Sequence, residues 1–234
     1  MNKSVDSVDV VILAGGLGTR LRSEINNRPK CLASINGKVF LDILIDFYVE
    51  QGFKRFIICV GYKKDQVKAH LNNRDDCNII FSEEITPLGT GGALKLAQSK
   101  IKSKLYIVHN GDTFVDLVLF DYIKWFLEND FQFSIVTIKN IMSEQFGTVT
   151  VSRDDRIMAF EEKLQSSKST YINGGVYLIR NGFIDFKSYK EAFSLEKDLI
   201  PSLLIKKVYA YFCSGRFIDI GTKESFMNAK LFFK

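Results

Sequence analysis

Apolar and polar positions alternate along this chain with two distinct periods, and its first half switches between them regularly. A short continuous apolar run reads as a buried strand, and apolar positions recurring every three or four residues read as an amphipathic helix. Residues 8–13 form the first such strand. Residues 39–50 are apolar at 40, 41, 44, 45, 47 and 48, which predicts a helix ending near Gly52. A second strand follows at 55–60, a short helix at 65–71 and a third strand at 78–81. A glycine-rich bend at 87–93 opens a helix that runs to about residue 99, and a fourth strand at 105–108 stops at His109-Asn110-Gly111-Asp112.

Parallel neighbours need crossover connections, so this alternation predicts an α/β fold: a single Rossmann-like domain with a mixed, mostly parallel sheet and helices on both faces. Past residue 115 the rhythm loosens. A helix is expected at 116–128, strands at 133–139, 147–152, 157–160 and 171–179, and a helix over 196–206 despite Pro201. Strands at 208–212 and 216–220 precede a terminal helix from Thr222. No linker, repeat or low-complexity tract interrupts residues 1–234, so one domain is the simplest organisation. Ligands of such sheets gather beyond the carboxyl ends of the strands, where Gly15, Gly89 and Asp112 all fall.

Composition narrows the class. The 234 residues are enough for a sizeable core, and 46% hydrophobic with 25% charged residues is ordinary for a globular protein. No apolar run approaches the ~20 residues that span a bilayer, and the polar stretch from Met1 to Ser7 has no apolar segment of a signal peptide. A cytoplasmic protein without a membrane partner is expected. The four cysteines, at 31, 59, 77 and 213, are scattered and form no CxxC pair, so they read as reduced thiols. A net charge of +5 suits an anionic substrate, or a slight excess of lysine on solvated faces. No basic stripe with interleaved aromatics points to nucleic acid.

The candidate chemistry begins at Leu13-Ala14-Gly15-Gly16-Leu17-Gly18-Thr19-Arg20, with Arg28-Pro29-Lys30 behind it. Backbone N–H groups gathered in a glycine bend make an anion-binding concavity. Arg20 and Lys30 add positive charge, so the loop suits a polyphosphate; taken alone, its glycines also suit a tight turn leaving a buried strand. It is not a Walker loop, because Thr19-Arg20 follows Gly18, and it is not a dinucleotide fingerprint, because the third glycine is replaced by Leu21. Asp112 at its strand end suits either Mg²⁺, which takes one or two protein carboxylates plus substrate phosphates, or a turn cap. Asp219, a lone charge in an apolar strand, suits either a cation or an N-cap of the terminal helix. Glu162, Lys163, Asn173 and Gly174 are candidates for sugar and phosphate contacts, though read singly each equally suits a surface charge or a turn. His70 and His109 read as structural, and Cys31 as facing either the core or the site.

Jointly, LAGGLGTRL at 13–21, RPK at 28–30, PLGTGGA at 87–93, NGD at 110–112, FGTV at 146–149, FEEK at 160–163, INGGVYL at 172–178 and FIDIGT at 217–222 resemble the sugar-1-phosphate nucleotidyltransferases. The resemblance implies the nucleotide-diphospho-sugar transferase fold, with a nucleotide-binding part over about 8–115 and a sugar-phosphate-binding part over about 116–234. It implies that Leu13, Ala14 and Gly15 lie beside the nucleoside, and that Gly16, Gly18, Thr19 and Arg20 wrap the triphosphate. Lys30 would bridge phosphates, and Gly89, Thr90 and Gly91 would meet the base. Asp112 and Asp219 would hold the catalytic Mg²⁺. Gly147, Glu162, Lys163, Asn173 and Gly174 would hold the sugar phosphate.

Within that family the segments are most similar to the D-glycero-D-manno-heptose 1-phosphate guanylyltransferases. GTP and a heptose 1-phosphate are therefore the expected substrates, with GDP-heptose and pyrophosphate as products. Mannose 1-phosphate with GTP, N-acetylmuramate 1-phosphate with UTP, and an inactive nucleotide-sugar sensor are the alternatives, and a homo-oligomer is left open. Cys31 stands where the family usually has proline, which bears on subgroup rather than reaction. Only fifteen residues follow Asp219, so no β-helical extension is expected.

Overall fold

The computed structural model describes residues 5–16, 18, 21, 25, 28–139, 147–161 and 171–234. In chain order the elements are β1 (Asp9–Leu13), β2 (Ser34–Ile35), β3 (Lys38–Val39), α1 (Phe40–Glu50), β4 (Arg55–Val60), α2 (Lys64–Leu71), β5 (Asn78–Glu83), α3 (Gly89–Ala97), β6 (Leu105–Asn110) and β7 (Thr113–Val115). Then come α4 (Leu119–Glu128), β8 (Phe133–Lys139), β9 (Thr148–Val151), β10 (Ile157–Glu161), β11 (Tyr171–Arg180), a wide π-helical turn (Leu195–Leu199), α5 (Ile200–Leu203), β12 (Tyr209–Cys213), β13 (Phe217–Asp219) and α6 (Lys223–Phe232).

The main sheet runs β10-β9-β11-β6-β1-β4-β5, with β8 also pairing β11 and β12 pairing β8. β1 lies parallel to β4 and to β6, and β4 parallel to β5. Around β11 the pairing with β6, β8 and β9 is antiparallel. The mixed sheet read from the alternation is therefore present, with parallel pairing among β1, β4, β5 and β6 in the N-terminal half and again between β12 and β8 at the other end.

Side chains of successive strand residues point to opposite faces. Val10 and Ile12 of β1 accordingly join one core with Leu41, Leu44 and Ile45 of α1 and Tyr122 of α4. Val11 joins the other, with Ala93, Leu94 and Ala97 of α3 and Ile200 of α5. Helices thus cover both faces. None of them, among the described residues, is long and apolar enough to cross a membrane.

Three differences from the periodicity bear on the site. The helix expected at 116–128 begins at Leu119, because the Asp116 N–H is donated to Arg216 O (2.8 Å) and holds the chain extended beside β7. The helix expected over 196–206 is divided. Pro201 has no N–H to donate, and the segment before it winds wide, with Ile200 N–H reaching Leu195 O. Lastly β7, too short to show in any pattern, pairs antiparallel with β13 in register Thr113↔Asp219.

Candidate functional site

A cavity of about 760 Å³ opens beyond the carboxyl ends of β1, β6 and β5. Each end delivers a residue by strand geometry alone. β1 brings Leu13 and Ala14, with Gly15 and Gly16 beyond; β6 brings Asn110, Gly111 and Asp112; the residue after β5 is Glu84. Gly89 and Thr90 enter from the start of α3, and Gly147 and Asn173 from β9 and β11.

Gly15 lies against the Glu84 carboxylate. A Cβ there would lie 2.5 Å from Glu84 Oε1, so any side chain would push the carboxylate out of the wall. Glu84 is buried, and its Oε2 accepts a hydrogen bond from Leu88 N (2.8 Å). Burial lifts its pKa above the ordinary glutamate value, with the Leu88 N–H pulling the other way.

Lys30 sits on a single helical turn after Pro29, its side chain 12% exposed. Its ammonium lies 2.6 Å from Asp112 Oδ2. Pairing of β7 with β13 carries Asp219 to the same place: Ile220 N donates to Asp112 O (2.9 Å), and Asp219 Oδ1 accepts from Gly221 N (2.6 Å). A methyl group on Gly221 would lie 2.5 Å from Asp219 Oδ1 and 3.2 Å from Lys30 Nζ. Asp112 thus pairs with the ammonium, and Asp219 shares the same cavity wall beside them. The N-cap role open to Asp219 is filled instead by Thr222, whose Oγ1 accepts from Ser225 N (3.1 Å).

Mg²⁺ takes one or two protein carboxylates and keeps several waters. Asp112 and Asp219 are two carboxylates of the kind such an ion accepts, both in the cavity lining. No cluster of three or more His, Cys, Asp or Glu suited to a metal occurs among the described residues.

Asn173 is aimed by a bulge. β11 keeps register with β8 at Asn173↔Thr137 and again at Tyr177↔Ile135, so β11 spends two extra residues there. In a regular strand positions i and i+4 are about 13 Å apart. Here Asn173 Nδ2 donates to Tyr177 Oη at 2.7 Å. Gly175 makes the bulge possible, since its φ of +73° is in the left-handed region.

Of the residues singled out from sequence, the cavity brings together Leu13, Ala14, Gly15, Gly16, Lys30, Gly89, Thr90, Asp112, Gly147, Asn173 and Asp219. Gly18, Gly91 and Gly174 are not in its lining. Gly18 packs on Lys30, the Gly91 N–H is donated to Phe193 O (3.0 Å), and Gly174 packs on Val136. Thr19, Arg20, Glu162 and Lys163 lie outside the described residues. Cys31 lines the cavity but is 2% exposed, and burial pushes its thiol up to about 12. His109 is fully buried, and His70 pairs with Asp42 (2.8 Å), so neither belongs to the cavity lining.

Sequence reasoning missed Glu84, Asn110, Ser194, Glu196 and Lys197, which also line the cavity. Glu84 had a signal, an acid between a strand end and a glycine-rich bend. Glu196 had none, because it sits in a segment that reads as an ordinary helix and meets Thr90 and Asn110 from far along the chain.

The nucleotidyl transferase family model matches residues 9–234. The D-glycero-alpha-D-manno-heptose 1-phosphate guanylyltransferase of Aneurinibacillus thermoaerophilus is 36% identical over 230 residues, covering 95% of this chain and 97% of that one. The enzyme of the same name from Campylobacter jejuni is 36% identical over 222 residues, covering 94% and 98%. The crystal structure of HddC from Yersinia pseudotuberculosis superposes with a TM-score of 0.86 at 33% identity, covering 97% of this chain and all of that one. A second HddC structure, complexed with GMP-PN, superposes with a TM-score of 0.84. Loop, carboxylate pair and full-length likeness agree: the chain belongs to the nucleotidyl transferase family.

Proposed function

We propose that this protein transfers a guanylyl group from GTP to D-glycero-D-manno-heptose 1-phosphate, giving GDP-heptose and pyrophosphate. The observation that carries the reading is one cavity holding the Gly15-Gly16 loop, Lys30, Asp112, Asp219, Thr90 and Asn173 together. The full-length likeness to heptose 1-phosphate guanylyltransferases supports the substrate pair, and the GMP-PN complex of HddC supports the nucleotide.

The reaction asks for little covalent help. Phosphoryl-type transfer is catalysed by holding two anions in line and by neutralising charge as the leaving group departs. Like charges about 4 Å apart repel by about 1 kcal/mol in water and about 4 kcal/mol at an effective dielectric of 20. Backbone N–H groups of the 15–16 loop and the Lys30 ammonium offset that repulsion on the nucleotide side. Asp112 and Asp219 are the residues to hold Mg²⁺, which when bound would neutralise the triphosphate. Lys30, paired with Asp112 here, would turn to a phosphate oxygen of the bound nucleotide. A sugar phosphate is already ionised at neutral pH, so no general base is needed, in keeping with two histidines outside the cavity lining. Arg20 on the triphosphate, and Glu162 and Lys163 on the sugar phosphate, complete the charge set carried over from the family.

Glu84 supports the choice of base. A carboxylate only accepts hydrogen bonds. Guanine presents two adjacent donors, N1–H and N2–H, on its Watson–Crick edge, whereas uracil presents a single donor between acceptors. Asn173, one face of its amide fixed by Tyr177, has capacity left for a sugar hydroxyl.

The test is pyrophosphate release with GTP, UTP, CTP, dTTP and ATP against heptose, mannose, glucose and aminosugar 1-phosphates. The expected result is the highest kcat/KM for GTP with the heptose. A higher value for another pair would reassign the substrates, and release from none would remove the enzymatic reading.

A further inference from the structure

One carboxylate in the cavity wall gathers donors from both halves of the site. Glu196 Oε2 accepts from Thr90 Oγ1 (2.8 Å) and Ser194 Oγ (3.3 Å). Its Oε1 accepts from Asn110 Nδ2 (3.2 Å) and Tyr177 Oη (3.4 Å). Tyr177 in turn accepts from Asn173 Nδ2 (2.7 Å).

Because an ionised carboxylate has no proton to give, it sets the direction of every bond that reaches it. The Tyr177 hydroxyl proton must point to Glu196, which leaves an oxygen lone pair for Asn173 Nδ2. That choice fixes the Asn173 amide, whose Oδ1 is engaged by Gly175 N (2.9 Å). The Thr90 hydroxyl proton likewise points to Glu196, which leaves its oxygen to accept from Leu195 N (2.8 Å). Asn110 turns its NH₂ to Glu196, and its Oδ1 is buried with no hydrogen-bond partner among the described residues, an acceptor held in reserve.

We propose that Glu196 is a positioning residue that holds Thr90, on the nucleotide side, and Asn173, on the sugar side, in fixed orientations through one acceptor-only hub. The inference rests on the substrate reading above. It goes beyond that reading in assigning a role to a residue of the π-helical turn, and in predicting that the two sides respond to it differently. Tyr177 lies on the sugar arm alone, whereas Glu196 lies on both. A glutamine at 196 has nearly the same shape but presents an NH₂ to groups that are themselves donating, so at least one arm must turn round.

The test measures KM for both substrates, by pyrophosphate release, in wild type, Glu196→Gln, Tyr177→Phe and the double variant. One hydrogen bond to a charged group corresponds to about a tenfold effect or somewhat more. Tyr177→Phe is expected to raise the sugar-phosphate KM about tenfold and leave the nucleotide KM within about twofold. Glu196→Gln is expected to raise both about tenfold, and the double variant to raise the sugar-phosphate KM no further than Glu196→Gln does alone. Glu196→Asp keeps the acceptor at shorter reach and gives intermediate shifts in both; it carries the comparison if Glu196→Gln does not fold. Unchanged KM values in Glu196→Gln would overturn the assignment, as would single effects that multiply in the double variant. Absence of turnover by wild type with every substrate pair would remove the underlying reading and this one with it. Turnover with the wrong KM pattern would remove this one alone.

Discussion

Acidifying the solvent from pH 8 to pH 5 should cost this protein about 2 kcal/mol of stability through His109 alone. His109 is fully buried on β6, its Nδ1 3.0 Å from Tyr48 Oη. Its Nε2 has no hydrogen-bond partner among the described residues. Burial pulls its pKa from 6.5 down to about 4, against a smaller upward pull from Asp112. Between those two values the unfolded chain binds a proton that the folded chain refuses. Stability therefore rises with pH across that window, and is lost as pH falls through it. Integrated from pH 8 to pH 5 with these end points, the loss is about 2 kcal/mol, and a chain of this size should lose about 4–8 °C of unfolding temperature. The assay is thermal and urea unfolding at pH 5, 6, 7 and 8 for wild type and His109→Gln. The variant carries its own constant cost, so the informative quantity is the difference in slope. A variant keeping the full wild-type slope between pH 5 and 7, or a wild type more stable at pH 5 than at pH 8, would refute the reasoning.

Asp112→Asn should leave the fold intact, since the Lys30 pair is partly exposed and such pairs contribute at most about 1 kcal/mol. It should cut kcat by roughly 10²-fold or more, the size of loss seen when a charge-stabilising group is removed; near-normal kcat at saturating Mg²⁺ would take Asp112 out of the mechanism. Glu84→Gln should shrink the kcat/KM preference for GTP over UTP by about tenfold, because an amide can satisfy either base; an unchanged ratio would move base selection elsewhere. Cys31, with its thiol buried and pushed up to about 12, should resist a thiol reagent in the native protein at pH 8, as read by peptide mapping of the labelled chain. Fast labelling of Cys31 that bound nucleotide suppresses would show instead that the thiol opens to the site.

The alternation of apolar runs with amphipathic stretches was enough to determine the sheet's parallel half. Arg55–Val60 is a strand with the bounds its sequence implies, because a parallel strand buried on both faces leaves a near-continuous apolar signature. The motif residues were legible for a similar reason: a strand end, a glycine bend and a lone acid are local features. What local order could not decide was which distant residues meet. Asp219 reaches Asp112 only because β13 pairs with β7, whose three residues are too few to show a period, and a pairing between distant strands leaves no local mark. Asn173 meets Tyr177 only because β11 bulges, which shortens a span that a regular strand would hold open. Glu196 joins the site from more than eighty positions beyond Asn110 by the packing of a π-helical turn whose pattern reads as an ordinary helix. The chain's own order thus determined the elements and the local chemistry at their ends. Tertiary packing alone decided which of those ends share a cavity, because hydrogen-bond direction and charge pairing act over a few ångströms of space and take no account of separation along the sequence.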